Sequence, residues 1–277
     1  MTVPAPAQPA PGQPAPSPLR SSPVTFGTQT WIVFARAMRL SLRNPVWVVI
    51  GLVQPVLYLA LFGPLLQQVV ENTPGLPPGS AWQVFVPGLL VQLGIFGAAF
   101  VGFGLIAEYR AGVIERMRVS PAHRTALLLG RVARDVVVLL VQGALLIAVA
   151  VPFGLRAPVP GVLLALGVVA LLAAAFSSLS YAAALTLRSE DALAPLLNGI
   201  AVPLLLLSGI LLPMTLAPAW LRTLSDANPL KHVVDGVRAA FRGDIASATT
   251  AWGVVATLAL VIAGLLVGTR TFRRETA

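Results

Sequence analysis

Six apolar runs, at about 45–66, 82–106, 124–151, 160–187, 193–212 and 248–269, constrain this chain more than any other feature. Each is close to the roughly 20 residues a helix needs to cross about 30 Å of hydrocarbon. In that medium every backbone amide must find its partner within its own segment, so such runs become membrane-spanning α-helices. The composition fits a lipid solvent: the chain is 57% apolar and 10% charged, against about 25% charged in a soluble domain.

Orientation is read from the arginines. Residues 107–135 place six arginines and three of the ten acidic residues between two apolar runs. An Arg or Asp at mid-bilayer costs about 2.5–3.5 kcal/mol on insertion scales, so this cluster lies outside hydrocarbon, and short arginine-rich loops stay on the cytoplasmic side. Six spans bring both termini to one side. Fourteen of the nineteen Arg and Lys residues then fall on inside segments, which predicts cytoplasmic termini and a multi-pass protein of the plasma (inner) membrane. The alternation requires Arg188-Ser-Glu-Asp191 to be an inside loop. The net charge of +9 is absorbed by this topology, and no aromatic-basic interleaving of the kind that stacks bases accompanies it, so no nucleic-acid partner is expected.

Residues 1–24 are rich in proline and alanine without an apolar run, which predicts a disordered cytoplasmic tail. Residues 25–274 form the transmembrane domain. Over 28–43, Trp31, Phe34, Ala35, Met38 and Leu42 recur at helical spacing, with Arg36, Arg39 and Arg43 on another face. This predicts an amphipathic helix lying in the membrane interface, its cations facing lipid headgroups or a partner; a leader helix packed on the domain is the alternative. Between the last two spans, Asn228 is a good N-cap, Pro229 suits the first helical position and Gly243 the residue past the end. A helix near 229–242 follows, with Lys231, Asp235, Arg238 and Arg242 as one charged stripe and Val233, Val234, Val237 and Phe241 facing elsewhere. With 218–227 it makes a short helical hairpin at the outer surface.

Several chemistries are excluded by what the chain lacks. Lys231 is the sole lysine and follows Leu230, so there is no phosphate-binding Gly-Lys-Ser/Thr loop. No cysteine is present, and His123 and His232 lack a second histidine at ligand spacing. Ser177, Ser178, Ser180 and Ser208 have no histidine in hydrocarbon to activate them and read as helix-packing residues. Asp135 is the acidic residue closest to a span centre and is expected to pair with Arg131 or Arg134 at the interface. An integral-membrane enzyme or an ion-coupled carrier remains the alternative, and each would need buried polar groups not visible here. The chain is expected to carry no cofactor and no catalytic or metal site of its own.

The inside loop Glu108-Tyr109-Arg110-Ala111-Gly112-Val113-Ile114-Glu115-Arg116-Met117-Arg118-Val119-Ser120-Pro121, together with Asn228-Pro229-Leu230 and Asp235-Gly236-Val237-Arg238, resembles the ABC-2 type exporter permeases, nearest to the daunorubicin-resistance drug-efflux branch. The resemblance spans about 28–274. It implies an all-α permease subunit that dimerises with a second copy or a paralogue. A separate ATP-binding cassette subunit would bind ATP and Mg, and the cargo would be an amphipathic drug, lipid or glycan-lipid. It also implies that the loop after the second span docks on the ATPase, through Glu108, Tyr109, Arg110, Gly112, Glu115 and Arg116. Trp31, Arg36, Arg39 and Arg43 would mark a connecting helix. Gln92, Phe96, Phe100, Asn198 and Ser208 are candidates for the substrate path, the glycines at 88, 94, 97, 102 and 104 allow close helix contact, and Asn228, Pro229, Asp235 and Arg238 mark the outer helix.

Overall fold

The computed structural model describes residues 25–44, 46–72, 81–112, 123–210, 214 and 217–275. The Pro/Ala-rich stretch 1–24 and the loop residues 113–122, with Glu115 and Arg116, lie outside them. Ten helices and no strand occur among the described residues: α1 Phe26–Arg43, α2 Val46–Asn72, α3 Ala81–Ala99, α4 Gly102–Arg110, α5 Arg124–Ala150, α6 Val159–Leu187, α7 Glu190–Leu207, α8 Ala219–Asp226, α9 Pro229–Arg242 and α10 Ala248–Glu275. Six segments are long and apolar enough to cross a membrane: α2, α3 with α4, α5, α6, α7 and α10.

The bundle is organised around α3, sixteen of whose nineteen residues are buried. Glycines set how closely its neighbours approach. Gly94 faces Leu172 and the Val169 carbonyl of α6, Gly97 faces Leu139 of α5, and Gly88 faces the Ile210 carbonyl, so small residues of the second span serve packing as the sequence suggests. The most extensive helix pair is α6 with α10. There a Cβ added at Gly264 would stand 2.6 Å from the Ala175 carbonyl oxygen, and one at Gly268 would stand 2.8 Å from the Ser178 Cβ. By contrast, α7 buries only Leu193, and α2 leaves Val49, Ile50, Val53, Leu57 and Leu61 exposed, so both are peripheral. Gln142 of α5 donates to the Val48 carbonyl at 2.7 Å and anchors α2.

Prolines at 55, 64, 87, 195 and 203 lie inside these helices, tolerable because packed neighbours and local readjustment satisfy the freed carbonyls. Two spans differ from the sequence reading. The second is interrupted at Phe100–Val101 rather than continuous to 106, and the fifth span, α7, starts at Glu190 and ends at Leu207 rather than running 193–212. Glu190 and Asp191 were counted as loop. At a helix N-terminus, acidic side chains meet the positive end of the helix dipole, so they extend the helix instead of ending it.

Helix α1 packs on the domain, the alternative reading of its sequence. Its Val33 and the Thr30 carbonyl sit against Gly130 of α5, and Gln29 Oε1 accepts from the His123 amide at 2.8 Å, so the helix is docked on the domain. Trp31, Ile32, Leu40, Arg36, Arg39 and Arg43 remain exposed on its other sides.

Candidate functional site

One end of the bundle gathers charged residues from five helices. At the end of α4, Glu108 pairs with Arg131 of α5, and Arg110 meets Glu190 at the start of α7 at 3.2 Å. Tyr109 lies under the Arg188 guanidinium, 5.3 Å from ring centroid to Cζ, while the same guanidinium donates to Glu275 at the end of α10 at 2.7 Å. Arg188 adopts the left-handed conformation (φ 51°) that ends α6, and its Nε donates back to the Leu185 carbonyl at 3.1 Å. The hydrogen bond to Glu275 raises the Arg188 pKa above its ordinary value. One turn deeper, the Tyr181 hydroxyl donates to Asp135 Oδ2 at 2.7 Å and Arg134 stands 3.1 Å from Oδ1.

This network meets one expectation and adds to it: Asp135 pairs with Arg134, one of its two candidate partners, while Arg131 pairs with Glu108. Residues 131 and 135 are one helical turn apart, yet a carboxylate from another helix is the partner that satisfies the guanidinium. Tyr181 was missed because an isolated tyrosine in an apolar run carries no pattern; only the helix–helix register puts its hydroxyl against Asp135. The short turn at 188–189 lies at the same end as Arg110 and Glu275, as the topology requires.

The loop predicted to dock on a partner starts from this network. Glu108, Tyr109 and Arg110 are engaged within the chain, and Gly112, at φ 69°, turns the backbone out of α4. A side chain there would be strained.

The path candidates are only partly brought together. Gln92, Phe96 and Phe100 follow each other at intervals of four along the second span, running from a buried Gln92 to an exposed Phe100. Phe96 and Phe100 rings lie 6.2 Å apart, and Phe103 continues the row at 6.0 Å. Asn198 is exposed on α7 and returns its amide to the Ala194 carbonyl at 3.0 Å. Ser208 is fully buried beyond the end of α7 and donates to the Leu205 carbonyl at 2.6 Å.

At the other end, the Asn228 cap is as expected: its side chain accepts from the Leu230 amide at 3.0 Å, Pro229 is the first helical residue and Gly243 has φ 98°. The charged stripe is not. Arg238 is only 3% exposed, donating to the carbonyls of Val84 (2.9 Å), Gly209 (2.8 Å) and Ile210 (3.2 Å). The carbonyls of Gly209 and Ile210, just past the end of α7, together with a spare lone pair on the Val84 carbonyl of α3, accept from this guanidinium, so the arginine faces the core with the valines. Burial pushes its pKa down to about 10 against the opposing pull of Asp235, so it stays charged at neutral pH. Burial also raises Asp235, whereas the hydrogen bond from Lys231 lowers Asp226.

A helical bundle with six candidate spans, its charge concentrated at one end and a capped amphipathic helix at the other, has the construction of a polytopic membrane protein. The sequence pattern of ABC-2 type transporters matches residues 28–241, and the chain belongs to that family. It is 28% identical over 224 residues to the ycf38 transport permease of Cyanophora paradoxa, covering 79% of this chain and 77% of that protein. It is also 26% identical over 211 residues to the daunorubicin resistance ABC transporter permease protein DrrB1 of Streptomyces coeruleorubidus, with coverages of 75% and 73%.

Proposed function

We propose that this chain is the membrane subunit of an ATP-binding cassette exporter of the plasma (inner) membrane. In this reading both termini are cytoplasmic, and two permease subunits, identical or paralogous, enclose the path. A separate ATPase subunit binds ATP and Mg, and an amphipathic drug, lipid or glycan-lipid is moved outward. The observation that carries it is the ion-pair network at the base of the 111–122 loop. Because Glu108, Tyr109 and Arg110 are bound to α5, α6 and α7, a displacement of that loop is delivered to several spans together. Gly112 to Pro121, with Glu115 and Arg116, is the surface offered to the ATPase. The arginine surplus supports a cytoplasmic position for this end.

The test is the double reversal Glu115→Arg with Arg116→Glu, which keeps net charge and hence topology. Opposed like charges at a docking face cost several kcal/mol, enough to weaken a complex about a hundredfold. The reversal should leave membrane levels normal and abolish co-purification of the ATPase. Exchanging Arg131 and Asp135 instead breaks two internal pairs and should lower the amount of folded protein. Retention of the ATPase by the loop reversal would remove the loop from the docking surface.

A further inference from the structure

The second span is interrupted in a particular way. Between α3 and α4 the regular i to i−4 pattern gives way to shorter bonds: Val101 to the Ala98 carbonyl at 3.4 Å, Phe103 to Phe100 at 3.2 Å and Gly104 to Val101 at 3.2 Å. A break in a buried helix leaves backbone groups that hydrocarbon cannot satisfy. Here Ser180 of α6, 2% exposed, supplies both partners: its hydroxyl donates to the Ala99 carbonyl and accepts from the Gly102 amide at 2.9 Å. Gly102 is required for the approach, since a Cβ there would stand 2.7 Å from Ser180 Oγ and 2.8 Å from its carbonyl oxygen.

The two sides of the break are held differently. α3 is locked in the core, whereas α4, nine residues long, buries only Gly102, Leu105 and Ile106 and is secured at its far end by the Glu108, Tyr109 and Arg110 contacts. A short segment with weakened bonds inside a long helix is where bending is cheapest.

We infer that Ser180 is a positioning residue for transport: it forms the joint about which α4 tilts against a fixed α3, carrying movement of the cytoplasmic loop to the aromatic row at Phe96, Phe100 and Phe103. This rests on the ATPase-coupled reading above. The Ser180 hydroxyl keeps both backbone groups satisfied while α4 changes angle, so the break has a defined geometry at each end of its travel. Ser178, on the same helix, donates to its own Ala174 carbonyl and plays no part in the joint.

The chain has no native cysteine, so spin labels can be placed without background. Gly104→Cys is suitable because nothing lies within 4 Å of a Cβ there, and Val141→Cys on α5 is exposed and serves as the reference. The doubly labelled permease is mixed with excess unlabelled permease so that a dimer carries one labelled copy, purified with its ATPase subunit, and the distance is measured by dipolar spectroscopy with and without ATP–vanadate. The expected result is a single distance that shifts by about 2 Å or more on trapping. In Ser180→Ala the distribution should broaden at least twofold and lose the shift, while Ser178→Ala behaves as the parent. An unchanged distance in the parent, or a normal shift in Ser180→Ala, overturns the joint. Failure of the parent permease to retain the ATPase counts against the proposed function instead and is scored separately.

Discussion

The Arg238 guanidinium donates to the Val84 carbonyl at 2.9 Å, joining α9 to the first turn of α3. Removing it takes the guanidinium donor from the carbonyls of Gly209 and Ile210, past the end of α7, and one of its two hydrogen bonds from the Val84 carbonyl, all in a buried site. Arg238→Ala should therefore lower stability by about 3 kcal/mol, read as a fall in the thermal midpoint in detergent. Arg238→Lys keeps the charge but not the fork of donors, and should fall between the two.

The same burial predicts a labelling pattern. A cysteine replacing Arg238 should resist an impermeant thiol reagent, while Trp220→Cys on α8, at a site 69% exposed, should react from outside intact cells. Reaction at 238 before 220 would place α9 on the surface.

Tyr181 and Asp135 bond across α6 and α5 near the charged end. Hydrogen bonds between membrane helices average about 0.6 kcal/mol and reach about 1.7. Tyr181→Phe should cost an amount in that range, and Asp135→Asn, which retains an acceptor, should tolerate Tyr181 better than Asp135→Leu does. Denaturant titration of the purified permease measures both.

Glycines separate by what surrounds them. Gly264→Ala forces a methyl against the Ala175 backbone and should destabilise by about 1–3 kcal/mol. Gly167→Ala and Gly199→Ala meet nothing within 4 Å and should be neutral or stabilising by up to about 1 kcal/mol. Comparing the melting temperatures of the three variants checks the α6–α10 seam directly.

The six spans, the capped α9 and the charged cluster after the second span were legible in the sequence because each depends on local pattern: run length against bilayer thickness, cap chemistry and arginine excess. Helical periodicity set the valines of α9 apart from a charged stripe, yet it assigned Arg238 to that stripe. Periodicity records which residues share a face, not what that face meets, and the accepting carbonyls of Val84, Gly209 and Ile210 come from elements far away in sequence.

The sequence alone determined a helical chain with six runs long enough to span a bilayer, because an apolar run of about 20 residues satisfies its own backbone in hydrocarbon as a helix. Tertiary structure alone decided which charges meet. Glu108 with Arg131, Arg188 with Glu275, Tyr181 with Asp135 and Ser180 across the broken span are separated by 23, 87, 46 and 81 residues. Their partners are fixed by helix register and by glycine-controlled approach, both of which depend on the whole packed bundle.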